Sequence, residues 1–244
     1  MSEFAVRFAG VGKRYGRAQT LRDVTFDVAR GEFFGLVGVN GAGKTTLLKC
    51  LLDFCEVSGG NIDIFDTPHH LTASRKRLAF LPERFNPPYY LTGEDFIRYV
   101  LDMQSTPYDR GATERVLRGF ELDLTALKLP VRAYSKGMTQ KLGLAACVLS
   151  RKDLYILDEP ASGLDPKAHV LFKAQFGELK QQGRTVLFTS HALADVAAIC
   201  DRLAIIHAGT LCFVGTPEAL RAQYACGTLE QAFLRCIDSA VQAA

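Results

Sequence analysis

No apolar run in the 244-residue sequence approaches the roughly 20 residues that a membrane-spanning helix requires. Residues 1–7 also lack the basic-then-apolar segment of a secretory signal. The seven cysteines, at 50, 55, 147, 200, 212, 226 and 236, are odd in number and contain no Cys-x-x-Cys pair. Most of them lie in apolar runs, so they read as buried thiols of a reducing compartment. Charge of one sign is equally scarce: 29 Lys and Arg stand against 26 Asp and Glu, a net +3 with no long block. That argues against a dedicated nucleic-acid surface, and the densest basic run, Arg75-Lys76-Arg77, reads as a solvated face. No internal repeat or low-complexity tail is visible. A cytoplasmic protein is expected, reaching a membrane only through a partner.

What is present is a globular chain, 48% hydrophobic and long enough to bury a sizeable core. Its centre is Gly38-Val39-Asn40-Gly41-Ala42-Gly43-Lys44-Thr45, between the apolar run 33–37 and the helix-prone run Thr46 to Leu52. Strand, glycine loop and helix in that order make a P-loop. Glycines at 38, 41 and 43 let backbone N–H groups curl around an anion, and the helix N-terminus adds partial positive charge. Lys44 is expected to reach the β- and γ-phosphates of a nucleotide triphosphate, and the Thr45 hydroxyl to ligate Mg²⁺.

Alternation over 4–11 and 24–28 predicts two antiparallel strands before the buried strand at 33–37. Tyr15, between them, is a candidate adenine-stacking platform. Strands are also expected at 61–65, 78–81, 154–158, 184–190, 203–207 and 210–214. Helices are expected at 92–103, 113–120, 136–149, 166–182, 216–224 and 228–236. Pro87-Pro88 opens a stretch with helical patterns only. The fold class is therefore α/β: a P-loop NTPase core with a parallel sheet over 1–82 and 151–244, an antiparallel β part, and a mostly helical insertion at 83–150.

A triphosphate site of this type needs a carboxylate at the end of a buried strand, expected next to the P-loop strand. Residues 154–159 supply it: Asp158 for Mg²⁺, and Glu159 to orient or deprotonate the attacking water. His191 follows another apolar strand and can touch the γ-phosphate. Ser135 opens a helix with Gly137 two residues on, a second anion-ready helix start. One nucleotide needs only one such start per subunit unless the second serves a neighbour across a dimer interface.

With these motifs in order, the sequence resembles the nucleotide-binding subunits of ATP-binding-cassette (ABC) transporters over essentially its whole length. The resemblance implies that Tyr15 stacks on adenine and that residues 38–45, with Thr46, form the Walker A site. It implies that Asp158 and Glu159 are the Walker B aspartate and catalytic glutamate, that 162–165, ending in Asp165, is the D-loop, and that His191 is the switch histidine. Tyr134-Ser135-Lys136-Gly137-Met138 is similar to the family's signature sequence. Glu83 stands where the family usually has a glutamine near Mg²⁺, and its carboxylate is a candidate metal residue that can accept from metal-bound water. Glu83 and Lys136 resemble the branch serving exporters of drugs, polysaccharides, sodium or other cargo, including copper-enzyme maturation and gliding systems. The implied function is an ATPase with ATP and Mg²⁺, working as a homodimer or paired with a homologous cassette. Its implied partners are integral membrane permease subunits on the cytoplasmic face of the membrane, with no nucleic acid. Two competing readings are a soluble cassette ATPase acting on nucleic acid or ribosomes, and a P-loop kinase.

Overall fold

A computed structural model describes residues 3–242; the outer limits expected at 1 and 244 lie outside the described residues. The chain opens with β1 (Phe4–Tyr15) and β2 (Ala18–Ala29), a long twisted hairpin with several register shifts. Both strands outrun their alternating stretches, because the hairpin continues through Lys13 and Arg14 to the Tyr15–Ala18 pair. β3 (Phe33–Val37) leads into α1 (Lys44–Leu51), followed by β4 (Gly59–Ile64) and the two-residue β5 (Thr67–Pro68). β6 (Leu78–Leu81) precedes a run of helices: α2 (Gly93–Met103), α3 (Arg110–Gly119) and α4 (Lys136–Leu149). There, Thr92 and Pro130 form an isolated bridge.

Strands and helices then alternate through β7 (Leu154–Leu157), α5 (Pro166–Gln181), β8 (Thr185–Ser190), α6 (Leu193–Ile199), β9 (Arg202–His207) and β10 (Thr210–Gly215). α7 (Pro217–Gln223) and α8 (Leu229–Gln242) complete the described chain. α6 is not evident in the sequence: it is only seven residues long and has no side-chain cap. α3 starts three residues earlier than its apolar pattern because Asp109 caps it, accepting from the Ala112 N–H at 3.0 Å.

The strands form two sheets, β2-β1-β4-β5 and β10-β9-β3-β8-β7-β6. The second is parallel except for its β10 edge. Alternate residues of its strands feed separate cores. Phe33, Tyr155, Phe188 and Leu203 pack with the helical side, whereas Phe34, Ile156, Leu187 and Ile206 pack with α1 and the antiparallel sheet. Each large apolar side chain buried this way stabilises the fold by about 1.5–3 kcal/mol. The strand order corrects one expectation. The strand ending before Asp158 is not beside the P-loop strand; β8 runs between them. Right-handed crossovers let a later strand enter between earlier ones. The C-terminal ends of β3, β8 and β7 thus lie side by side, and the loops that carry residues 38–43, 158–165 and 191–192 leave from that edge.

Candidate active site

The P-loop wraps the N-terminus of α1 and is locked from behind. A side chain at Gly38 would run into the Ile206 carbonyl of β9, and Gly43, with φ of 112°, caps α1 in a conformation that L side chains rarely adopt. Lys44 is buried, and its ammonium donates to the Gly38 carbonyl at 2.5 Å and the Val39 carbonyl at 3.4 Å. Burial disfavours that ammonium and lowers its pKa, opposed by the carboxylates of Glu159, Asp158 and Glu83. Glu159 Oε1 lies 3.9 Å from it. The loop's own carbonyls therefore hold a cation ready for a stronger anion.

A cleft of about 590 Å³ opens over this loop. Residues 39–46 line it together with Tyr15, Glu83, Glu159 and His191. Gly38 lies behind it through its carbonyl contact with Lys44. Tyr15, at the end of β1, is about half exposed and donates its hydroxyl to Cys55 Sγ at 3.5 Å. Thr20 is a further lining residue with no sequence signal of its own.

At the β7 end, Asp158 is buried and Glu159 adopts φ of 48°. Thr189 of β8 joins the two: its hydroxyl donates to Asp158 Oδ1 at 2.6 Å and accepts the Glu159 backbone N–H at 2.8 Å. Thr189 has one signal in the sequence, a polar residue inside the apolar run two positions before His191. Glu159 Oε2 meets His191 Nδ1 at 2.8 Å. One carboxylate thus lies within 4.0 Å of both His191 and Lys44.

The donor set suits magnesium. Asp158 is a buried carboxylate with no cationic side chain within 4.0 Å among the described residues, and it shares a second groove with Thr45 and Glu83. Hydroxyl and carboxylate oxygens are hard ligands. Among the described residues no cluster of three His, Cys, Asp or Glu could enclose a metal, so phosphate oxygens and water would complete the shell.

Besides Gly38 and Asp158, three expected residues do not line the cleft. Ser135 caps α4, accepting the Met138 N–H at 3.2 Å, with Gly137 in the first turn. Asp165 caps α5, accepting the Ala168 N–H at 2.8 Å. The first turn of α4 instead touches the 162–165 loop: the Lys136 stem lies against Gly163. Gln140 also ties α4 to the Pro160 carbonyl, at 2.9 Å.

A family model described as ABC transporter matches residues 21–162. An uncharacterized ABC transporter ATP-binding protein of Synechocystis sp. is 39% identical over 207 residues, covering 82% of this chain and 57% of that protein. Against that relative the chain spans a little over half the length. Nod factor export ATP-binding protein I of Bradyrhizobium diazoefficiens is 32% identical over 234 residues, covering 94% of this chain and 76% of that protein. A solved ATP-binding subunit of an ABC transporter superposes with a TM-score of 0.87 at 31% identity, covering 95% and 99% of the two chains. A bacterial Atm1-family ABC exporter with ATP bound shares the fold, with a TM-score of 0.83 at 21% identity over 96% of this chain and 42% of that one.

Proposed function

Because the chain belongs to the ABC transporter ATP-binding family, we propose that it binds and hydrolyses ATP to drive a transporter, of exporter type, through closure of a head-to-tail dimer. The observation that carries this reading is the division of the site. Lys44, Glu159 and His191 share the cleft, whereas Ser135 and Gly137 lie on α4 and do not line it. A second copy brings its α4 start to the open side of the cleft and completes the phosphate shell.

In this reading Tyr15 stacks on adenine, the loop N–H groups cradle the phosphates, and the Lys44 ammonium turns from the Gly38 carbonyl to the β- and γ-phosphates. Thr45 and Asp158 hold magnesium, with Glu83 facing the same groove; when bound, the ion neutralises phosphate charge. Thr189 fixes Asp158 and the Glu159 backbone together. The Glu159 carboxylate orients the attacking water and takes its proton, and His191 keeps that carboxylate aimed.

Among the described residues no helix is long and apolar enough to cross a membrane. The membrane contact then belongs to a permease subunit docking near residues 83–101. Phe54, Phe80 and Pro82 line a groove of about 380 Å³ beside Glu83, and Tyr89 and Tyr90 are exposed nearby in sequence. Exposed aromatic rings suit a packed docking contact. The reading places the chain at the cytoplasmic face of the membrane. It is tested by ATP-dependent dimerisation of Glu159→Gln, and by phosphate release that rises when the permease is supplied.

A further inference from the structure

α1 carries a second chemistry that hydrolysis does not use. Cys50, in its last turn, and Cys55, in the loop beyond, hold their sulfurs 3.6 Å apart. Cys50 is buried and Cys55 is partly exposed. The pair is tied to the rim of the nucleotide cleft through Tyr15, whose hydroxyl donates to Cys55 Sγ at 3.5 Å. The Lys13 ammonium lies 4.8 Å from the centre of the Tyr15 ring and donates to the Glu56 carbonyl at 2.5 Å. Lys13, Tyr15, Cys55 and Cys50 thus form one contact chain from cleft to helix.

We propose that Cys50 and Cys55 are an oxidation site, a dithiol that closes to a disulfide under hydrogen peroxide and releases Tyr15 from its place on the nucleotide cleft. The Cys55 thiolate attacks one peroxide oxygen and breaks the O–O bond, leaving Cys55 sulfenic acid and, after protonation, one water. The Cys50 sulfur then attacks that sulfur; the S–O bond breaks, and its oxygen departs with the Cys50 proton as a second water. Two thiols are oxidised and one peroxide is reduced. Exposure makes Cys55 the first sulfur to react. Burial pushes the Cys50 pKa up to about 12, so proximity rather than acidity drives the second step.

Closing the bond shortens the sulfur separation from 3.6 Å to about 2.05 Å. The Cys55 sulfur moves toward α1, and Tyr15 loses its hydroxyl acceptor. The cysteine chemistry stands on its own geometry; its effect on nucleotide rests on the proposed role of Tyr15.

The test treats the whole protein with hydrogen peroxide, maps its peptides without reduction, and titrates ATP before and after. We expect a Cys50–Cys55 crosslink and ATP affinity about five- to tenfold weaker, at the lower end of the range that base stacking supplies. Dithiothreitol should restore it, and Cys55→Ser should show no peroxide response. Oxidation of Cys55 to the sulfinic acid without a crosslink overturns the site. A crosslink that leaves ATP affinity unchanged overturns the switch. Tyr15→Ala separates the two ideas: it should bind ATP more weakly when reduced, and peroxide should form the crosslink without weakening ATP binding further. Parental affinity in that variant, with the crosslink still forming, removes Tyr15 from the nucleotide and the switch with it.

Discussion

His191 Nδ1 stands 2.8 Å from Glu159 Oε2, although 31 residues of chain separate them, because β7 and β8 are adjacent and parallel. The contact sets the direction of the carboxylate that is proposed to activate water. His191→Ala should lower kcat about a hundredfold, in the range of one general-base contribution, while ATP affinity is held. Phosphate release and a nucleotide titration measure the two separately.

Thr189 has a different signature. Thr189→Val keeps the side chain's shape but strips the hydrogen bond from buried Asp158, a loss of about 1–3 kcal/mol. Thermal unfolding should report that loss and magnesium-dependent turnover should fall with it. Thr189→Ser, which restores the hydroxyl, should recover both.

Lys44→Ala removes the charge-assisted bonds to phosphate proposed for its ammonium, each worth about 1.5–3 kcal/mol. ATP affinity should drop about ten- to a hundredfold. An equilibrium titration giving the parental affinity would separate Lys44 from the phosphates.

Asp165 gives a prediction in pH. The Ala168 N–H holds its carboxyl below the ordinary aspartate range. A lowered folded pKa means that the stabilisation is complete above the ordinary value and is lost as pH falls through the folded one. Asp165→Asn keeps a cap acceptor but not the charge. Its thermal midpoint should therefore fall less steeply than the parent's on acidification below about pH 4.

Much of this was legible because the relevant signals are local. The P-loop glycines, the apolar strands and the Thr92 cap, which accepts the Asp95 N–H at 3.1 Å, each depend on a few consecutive residues. Strand order is not local: nothing in residues 154–190 reveals that β8 enters between β3 and β7. For the same reason Thr189 is not legible in the sequence, since its contact with Asp158 exists only once two strands distant in sequence lie side by side. α6 was missed because seven residues without a side-chain cap hold their shape by packing against α5 and α8 rather than by propensity.

In the proposed function, one copy holds only part of a phosphate shell. Glu159→Gln preserves the cleft's shape while disabling proton removal from water, so it should accumulate the ATP-bound state. Light scattering of that variant in saturating ATP and magnesium should give twice the mass of one chain, returning to the single-chain mass when ATP is withdrawn. A mass that stays at one chain, with ATP bound and the permease subunit supplied, would show that a single copy completes the nucleotide site without a partner.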